Sequence, residues 1–199
     1  MKNIIFRTLL AVLTAIPLPL LIGDKLMAKE LPPNLVIKSM YAGVAKIYGY
    51  NAVPRIYKPI RSGSNTGCGA MAAGNAIYCK LDHSIYITTD MVKMAYQYGD
   101  AALAYVVGHE YAHAMQNAYQ FNSNNSPISE LQADCLSGFY MAAVPNLVFD
   151  NRDIQEIQAF AYNLGDNNVW SKDHHGTPSQ RLQAVTIGMN ATNILACKI

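Results

Sequence analysis

Two histidines four residues apart, with a glutamate beside the first, form the strongest chemical pattern in the chain. His109, Glu110 and His113 make the sequence His-Glu-x-x-His inside a stretch that predicts a helix, residues 101–119. Positions four apart on a helix differ by about 40° and one turn, so both imidazoles can bind one metal ion. Glu110 lies beside that face, where it can act as a base on a water molecule without being a ligand. The pattern predicts a catalytic zinc site.

A third ligand is predicted on the following helix. Glu130 comes after a loop that is long enough for its helix to turn back on the first one, and Asp134 lies one turn later on the same side. Two histidines and one glutamate leave a coordination position open, as in catalytic zinc sites. Asp134 can accept the outer N–H of a ligating histidine and fix its tautomer. A solvated helix face is the weaker interpretation of these two acids, and we expect one zinc ion per chain.

A later histidine and arginine are further candidates. His174 and His175 precede a predicted helix that begins at Thr177-Pro178, and Arg181 lies one turn into it. A histidine in this loop could donate to a developing oxyanion, and Arg181 could pair with Asp134 or with a substrate carboxylate. The residues alone give no preference between the two histidines, and a structural role for Arg181 is an equal alternative.

Four cysteines predict two disulfide bonds. Cys68, Cys79, Cys135 and Cys197 form an even set downstream of a predicted export signal, and no two have the C-x-x-C spacing of many zinc sites. Three pairings are possible on sequence alone. We predict Cys68–Cys79, which would tie a loop to a hairpin, and Cys135–Cys197, which would pin the C-terminus to the helix that carries Glu130.

The elements that must position these side chains are mostly helices. Periodicity and capping residues predict helices at 35–48, 101–119, 127–143, 151–163 and 178–189, with Asp100 as the N-cap of the second. Two runs rich in β-formers, 76–79 and 85–89, indicate a hairpin, preceded by an extended edge segment, 53–59, and a loop, 61–69. The excess of predicted helices over predicted strands indicates an α+β fold, helix-dominated with a small antiparallel sheet beside the His-Glu-x-x-His helix.

The first 28 residues have the pattern of a secretory signal peptide. Lys2 and Arg7 precede an apolar run, 9–22, and a cut after Ala28 would leave residues 29–199 as a single domain. The alternative is an uncleaved membrane anchor, but prolines interrupt the run and it is shorter than the roughly 20 residues that span a bilayer. We expect a periplasmic or secreted protein with no stable membrane insertion after cleavage.

The composition argues against nucleic acid as a partner. The chain of 199 residues is 51% hydrophobic and 14% charged, with a formal net charge of +2, which is typical of a globular protein. No run of Lys or Arg offers a phosphate-binding surface. The electrostatics therefore exclude a strongly basic binding module but do not identify a ligand.

Several segments match the pattern of a known bacterial family. They are residues 104–113, the run Glu130-Leu131-Gln132-Ala133-Asp134-Cys135, the pairs Cys68-Gly69 and Tyr78-Cys79, and His175-Gly176-Thr177 followed by Gln180-Arg181. Across nearly all of the chain after the signal peptide, the sequence resembles the putative neutral zinc metallopeptidases. The resemblance implies a zincin-like fold, one catalytic zinc and peptide-bond hydrolysis, and it favours His175 over His174 as the site histidine.

Together these features predict a zinc metallopeptidase that acts on peptides or proteins. Zinc would polarise the scissile carbonyl and a bound water, and Glu110 would move the water's proton to the leaving amine. His175 or a tyrosine would stabilise the oxyanion, and the strand at 85–89 would offer its edge to an extended substrate. Two alternatives stay open: a zinc amidase acting on cell-wall peptide, and a zinc-bearing envelope protein that binds peptides without turnover.

Overall fold

The structure is a computed structural model that describes residues 30–121, 126–145, 147–171 and 174–198. The predicted signal peptide, residues 1–28, lies outside the described residues. Among the helices of the described ranges, none combines the length and the apolar character that crossing a bilayer requires.

Helices predominate in the described part of the chain, and the strands are short. The helices are α1 (Pro33–Ile47), α2 (Thr89–Tyr96), α3 (Asp100–Ala118), α4 (Ser126–Ala143), α5 (Asn151–Leu164) and α6 (Pro178–Met189), followed by a 3-10 turn at Ile194–Cys197. The strands are β1 (Arg55–Ile56), β2 (Asn65–Thr66), β3 (Gly69–Ala70), β4 (Ala76–Cys79) and β5 (Ser84–Ile87). The fold class is therefore α+β, as predicted; the zincin-like assignment stays a prediction.

The α3 helix forms the centre of the core. It packs against α1, α4 and α5, and it also contacts α2 and β4. Every residue from Ala101 to Ala112 is buried, so the first three turns have no solvent-facing side. A buried polar group without a hydrogen bond costs about 1–3 kcal/mol. His109 and Glu110 therefore depend on polar partners that neighbouring elements supply.

The main sheet has three strands in the order β1-β5-β4. β4 and β5 form the predicted antiparallel hairpin, with Ala76 opposite Ile87. β1 pairs with the other side of β5 in parallel, with Arg55 opposite Ser84, so the predicted edge segment does form an edge strand. The prediction that β5 offers its edge to a substrate is wrong, because β5 is the central strand and all of its residues are buried. The edge on the opposite side of this sheet belongs to β4.

Three short elements, β2, β3 and α2, were not predicted from the sequence. Within and at the end of the segment expected to be a loop, β2 and β3 pair in antiparallel fashion. After β5, the chain does not lead directly into α3 but first forms α2, whose N-cap side chain, Thr88, accepts a hydrogen bond from Met91 N. Helical periodicity is hard to recognise in so short a helix, because it needs about 11 residues or more to be clear.

The N-terminus of α3 is capped by a distant segment. Asp100 was predicted as the N-cap, but Gly99 occupies that position and Asp100 is the first helical residue. The Asp100 backbone N–H donates to Glu30 Oε2 at 2.7 Å, and the Asp100 side chain accepts from the Leu31 N–H at 2.6 Å. The predicted N-cap was therefore wrong by one position. The oxygen that accepts from the first helical N–H belongs to Glu30, in the segment that precedes α1.

Both disulfides pair as predicted. Cys68–Cys79 joins the β2–β3 turn to the last residue of β4, and Cys135–Cys197 joins α4 to the 3-10 turn. The second bond lies next to Asp134 in the sequence and is buried at both ends. It therefore fixes the C-terminal segment against the helix that carries Glu130.

Candidate metal centre

The two histidines of the motif converge on α3. His109 Nε2 and His113 Nε2 are 3.1 Å apart, as expected for residues that share a helix face one turn apart. His109 is buried and His113 is partly buried. The local helical geometry alone is enough to bring these two nitrogens together.

Glu130 completes the group from α4. Its Oε2 lies 3.1 Å from His109 Nε2, and its Oε1 lies 3.3 Å from His113 Nε2. The packing of α4 against α3 brings this carboxylate next to the helix face that carries the two histidines. One donor atom from each of the three residues lies within 4.8 Å of the other two.

The outer nitrogens of both rings face oxygen acceptors. His109 Nδ1 is 2.8 Å from Asp134 Oδ1, and His113 Nδ1 is 2.8 Å from Gln116 Oε1. A carboxylate can only accept a hydrogen bond, so His109 Nδ1 carries a proton and its Nε2 faces inward, where it can bind a metal ion once its own proton is displaced. With the Gln116 oxygen turned toward the ring, the same applies to His113. When both rings are neutral, two nitrogen lone pairs and a carboxylate at such short distances repel one another unless a cation lies among them, and two imidazoles with one carboxylate suit zinc.

Asp134 is the centre of a buried network behind His109. It is fully buried and accepts two hydrogen bonds at 2.8 Å from Arg181, through Nε and Nη2. The Tyr105 hydroxyl also donates to Asp134 and accepts from Arg181 Nη2 at 3.1 Å. Arg181 belongs to α6, whose N-terminus has a capping box formed by Thr177 and Gln180. Arg181 thus contacts Asp134, the first of the two partners considered for it.

Neighbouring charges and hydrogen bonds lower the pKa of both Asp134 and Glu130, against the effect of burial. Burial would raise the pKa of Asp134, but the Arg181 charge and hydrogen bonds with His109 and Arg181 lower it to about 2. Burial would also raise the pKa of Glu130, yet hydrogen bonds with both histidines hold it well below its usual range. Both acids are therefore carboxylates at any physiological pH.

Glu110 lies in a different environment from Glu130. It is buried, and burial raises the pKa of its carboxyl; the charges of the two histidines and a hydrogen bond from the Tyr78 backbone act in the opposite direction. None of the three donor atoms of the metal group belongs to it. The structure therefore separates a carboxylate suited to hold a cation from one suited to exchange a proton.

A cavity of about 690 Å³ opens over this centre. Its lining includes His109, Glu110, His113 and Glu130, together with His175 and part of β4. His175 is exposed, whereas His174 is buried and bonds through Nδ1 to Asp166 at 2.9 Å. Of the two neighbouring histidines, the structure therefore brings His175, not His174, to the candidate site.

Two residues that contact the site carry no role in the sequence-based interpretation. Gln116 is fully buried beside His113, and Tyr105 is buried beside Asp134. Gln116 follows His113 by three positions on the same helix, a spacing that brings side chains together. That spacing is a signal that could have identified Gln116; the contact of Tyr105 with Asp134 depends on the packing of α3 against α4.

Curated proteins of similar sequence carry no assigned activity in their names. The chain is 28% identical to the uncharacterized protein Rv2575 of Mycobacterium tuberculosis (strain ATCC 25618 / H37Rv) over 186 residues, covering 69% of this chain and 64% of that protein. It is 28% identical to the uncharacterized protein YpfJ of Escherichia coli (strain K12) over 167 residues, covering 69% and 58%. The chain thus spans less than two thirds of the length of these relatives. No solved structure matches it significantly.

A family model covers most of the sequence. The family is described as putative neutral zinc metallopeptidase, and its model matches residues 50–199, which include both histidines of the motif, Glu130 and all four cysteines. A donor set of two imidazoles and a carboxylate is one of those that catalytic zinc sites use. By this match, the chain belongs to the putative neutral zinc metallopeptidase family.

Proposed function

We propose that this protein is a zinc peptidase whose metal is held by His109, His113 and Glu130. The observation that carries the proposal is the convergence of three potential metal-ligand atoms, one from each residue. They lie within 4.8 Å of one another, beneath a cavity that Glu110 also lines. Three protein ligands leave a position open for water or substrate. Zinc bound there would act as a Lewis acid on the scissile carbonyl and would lower the pKa of water.

The residues around the metal position supply the proton transfers. Glu110 takes a proton from the attacking water and passes it to the leaving amine, a role that its raised pKa favours because proton exchange is fastest near the working pH. His175 lines the same cavity, where its ring N–H would donate to the oxyanion. Asp134 and Arg181 do not touch the substrate in this scheme; they hold His109 in place.

The edge of β4 is the proposed place for an extended substrate. Thr88 N donates to Asn75 O, and in an antiparallel pair hydrogen-bonded positions alternate, so the backbone groups of Ala76 and Tyr78 point away from β5. The cavity lining includes both residues. The Tyr78 N–H bonds to Glu110, which leaves the Ala76 N–H and two carbonyls to align a peptide as an added strand.

We also infer export to the periplasm or the medium. The two disulfides support this inference, because such bonds persist mainly in oxidising compartments. Cell fractionation with an antibody would test it, and recovery of the protein with reduced cysteines from the cytoplasm would contradict it.

A peptide library assay on the purified protein tests the function. We expect cleavage by the zinc-loaded protein, loss of cleavage with a chelator, and a 10²- to 10⁴-fold lower rate for Glu110→Gln, roughly the contribution of a positioned acid or base. Glu110→Gln is a matched control because it is nearly isosteric and removes no proposed ligand. Cleavage of cell-wall peptides alone would favour the amidase alternative. Zinc and peptide binding without any cleavage would favour the binding protein and contradict the proposal.

A further inference from the structure

Gln116 is a fully buried amide whose hydrogen-bonding capacity is completely used. Its Oε1 accepts from His113 Nδ1 at 2.8 Å and from Ser129 Oγ at 3.2 Å. Its Nε2 donates to the Ser129 backbone carbonyl at 2.8 Å and to Gln132 Oε1 at 3.0 Å. A glutamine amide has two N–H donors and two acceptor lone pairs, so all four are satisfied.

The Ser129 carbonyl determines which way this amide points. A backbone carbonyl can only accept, so the amide nitrogen must face Ser129 and the amide oxygen must face His113. The reverse orientation would place two oxygens 2.8 Å apart. Because the amide oxygen is also only an acceptor, His113 Nδ1 has to carry the proton, and its Nε2 is left as a lone pair on the side of Glu130.

The same amide connects the two helices that carry the proposed ligands. His113 and Gln116 belong to α3, whereas Ser129 and Gln132 belong to α4, on either side of Glu130. Gln132 in turn donates to the Cys197 carbonyl at 3.1 Å, which ties the network to the disulfide-bonded C-terminal segment. The position of the His113 ring relative to Glu130 therefore depends on one side chain.

We propose that Gln116 is the positioning residue of His113: it holds the Nδ1–H tautomer and sets the ring against α4, so that Nε2 and Glu130 meet the same ion. This role rests on the metal site of the proposed function but not on peptidase activity. It is the counterpart of the role of Asp134 at His109, with a neutral amide in place of a carboxylate. A neutral group avoids a further buried negative charge beside Glu110 and Glu130.

Zinc affinity of three variants tests the proposal, measured by competition with a chromophoric chelator. Gln116→Met keeps the approximate length and removes the acceptor, and we expect affinity to fall 10- to 100-fold, the usual range for such supporting partners. Gln116→Glu keeps an oxygen for His113 but turns its other oxygen toward the Ser129 carbonyl, so its affinity should also fall, though by less than that of Gln116→Met. Gln132→Met is the matched control, because it weakens the same link between α3 and α4 without touching His113, and its affinity should fall less than threefold.

A spectroscopic measurement separates positioning from simple structural support. In ¹⁵N-labelled, zinc-loaded protein, the His113 Nδ1–H should be protected from exchange with water in the wild type and in Gln116→Glu, and unprotected in Gln116→Met. Equal losses of affinity in all three variants would mean that Gln116 is only a structural tie and would overturn the proposal. An unprotected Nδ1–H in the wild type would overturn it even if Gln116→Met does not fold. If the wild type binds no zinc, the proposed function itself fails.

Discussion

At the scale of single residues, two buried or partly buried glutamates in one cavity have opposite electrostatic surroundings. Glu130 bonds to both histidines and its pKa lies well below the usual range, while burial raises the pKa of Glu110. When two titratable groups in one site are shifted apart in this way, their chemical roles usually differ. This difference supports the proposal that Glu130 holds the metal and Glu110 transfers protons, and each role can be tested separately.

Glu130→Ala should lose zinc. The substitution leaves a site of two imidazoles, so zinc content should drop from about one per chain to a small fraction, and activity should drop with it. Metal analysis after dialysis, on preparations of Glu130→Ala and Glu110→Gln made in parallel, measures the difference. If Glu130→Ala retains its zinc, the third ligand is another residue, and Asp134 and His175 are the next candidates; if Glu110→Gln loses it, Glu110 is not simply a base.

Acidification should release the metal. Burial lowers the pKa of His109, but hydrogen bonds to Asp134 and Glu130 outweigh this and raise the pKa to about 10 in the metal-free site. Zinc must then displace a proton, so its apparent affinity rises with pH and its occupancy should fall below about pH 5–6. The two carboxylates stay charged in that range, so the histidines account for the release. Equilibrium dialysis between pH 8 and 4 measures this, and full retention at pH 4 would contradict a two-histidine site.

The metal-free protein should lose stability in alkali. A histidine whose pKa is raised by folding contributes stability that is complete below the unfolded value of about 6.5 and is lost as the pH rises through about 10. The melting temperature of the metal-free protein should therefore decrease between pH 7 and 10. His109→Gln, measured in the same buffers, should show a smaller decrease. Parallel curves for the two proteins would mean that His109 is not protonated in the metal-free site.

At the scale of elements, close contact between α4 and α6 brings Asp134 and Arg181 together. A Cβ built on Gly188 would lie 1.9 Å from the Cys135 carbonyl oxygen, and one built on Gly138 would lie 2.2 Å from the Val185 carbonyl oxygen. Contacts shorter than 3 Å with backbone atoms cannot be relieved by a side-chain rotation. The two glycines therefore permit the short distance between the helices that the buried ion pair requires.

Gly188→Ala should destabilise the protein although alanine is the better helix former. At a solvent-exposed helix position, replacing glycine with alanine would stabilise the protein by about 1 kcal/mol. Here the methyl group would force α6 away from α4, and overpacking costs about 1–3 kcal/mol, with an added loss from the Arg181–Asp134 pair. Urea unfolding measures the change in free energy of unfolding. Gln183→Ala, at an exposed position of α6, is the matched control and should change the stability by less than about 0.5 kcal/mol. A gain of stability in Gly188→Ala would contradict the packing argument.

At the scale of the whole molecule, the two disulfides close loops of very different length. Cys135 and Cys197 are 62 residues apart, and Cys68 and Cys79 are 11 apart. Loop-closure entropy of the unfolded chain then predicts a stabilisation of about 4 kcal/mol for the longer loop and about 3 kcal/mol for the shorter one. The longer one also fixes the C-terminal segment that bonds to Gln132.

Removing the longer disulfide should therefore have the larger effect. The paired replacement Cys135→Ala with Cys197→Ala should lower the free energy of unfolding by more than Cys68→Ala with Cys79→Ala, and it should also weaken zinc binding. Urea unfolding and chelator competition on both double variants provide the comparison. An equal or smaller loss of stability in the first double variant would contradict the loop-length argument.

The sequence by itself determined the features that depend on local geometry. The His-Glu-x-x-His spacing places two nitrogens on one face of any helix, and Thr177 with Gln180 caps any helix that starts there. The α+β class, the β4–β5 hairpin and most helix bounds also follow from short-range patterns. Because these patterns act over a few residues, they are readable without knowing what packs against them.

Only the tertiary structure decided which distant groups meet. The parallel pairing of β1 with β5 leaves β4 as the edge beside the cavity, and Glu30 rather than Asp100 caps α3. The contacts of Gln116 with Ser129 and the choice of His175 over its neighbour likewise depend on how helices and loops pack. Such contacts join residues that are far apart in the chain, so their geometry is set by the burial of the whole core and not by the pattern of any one segment.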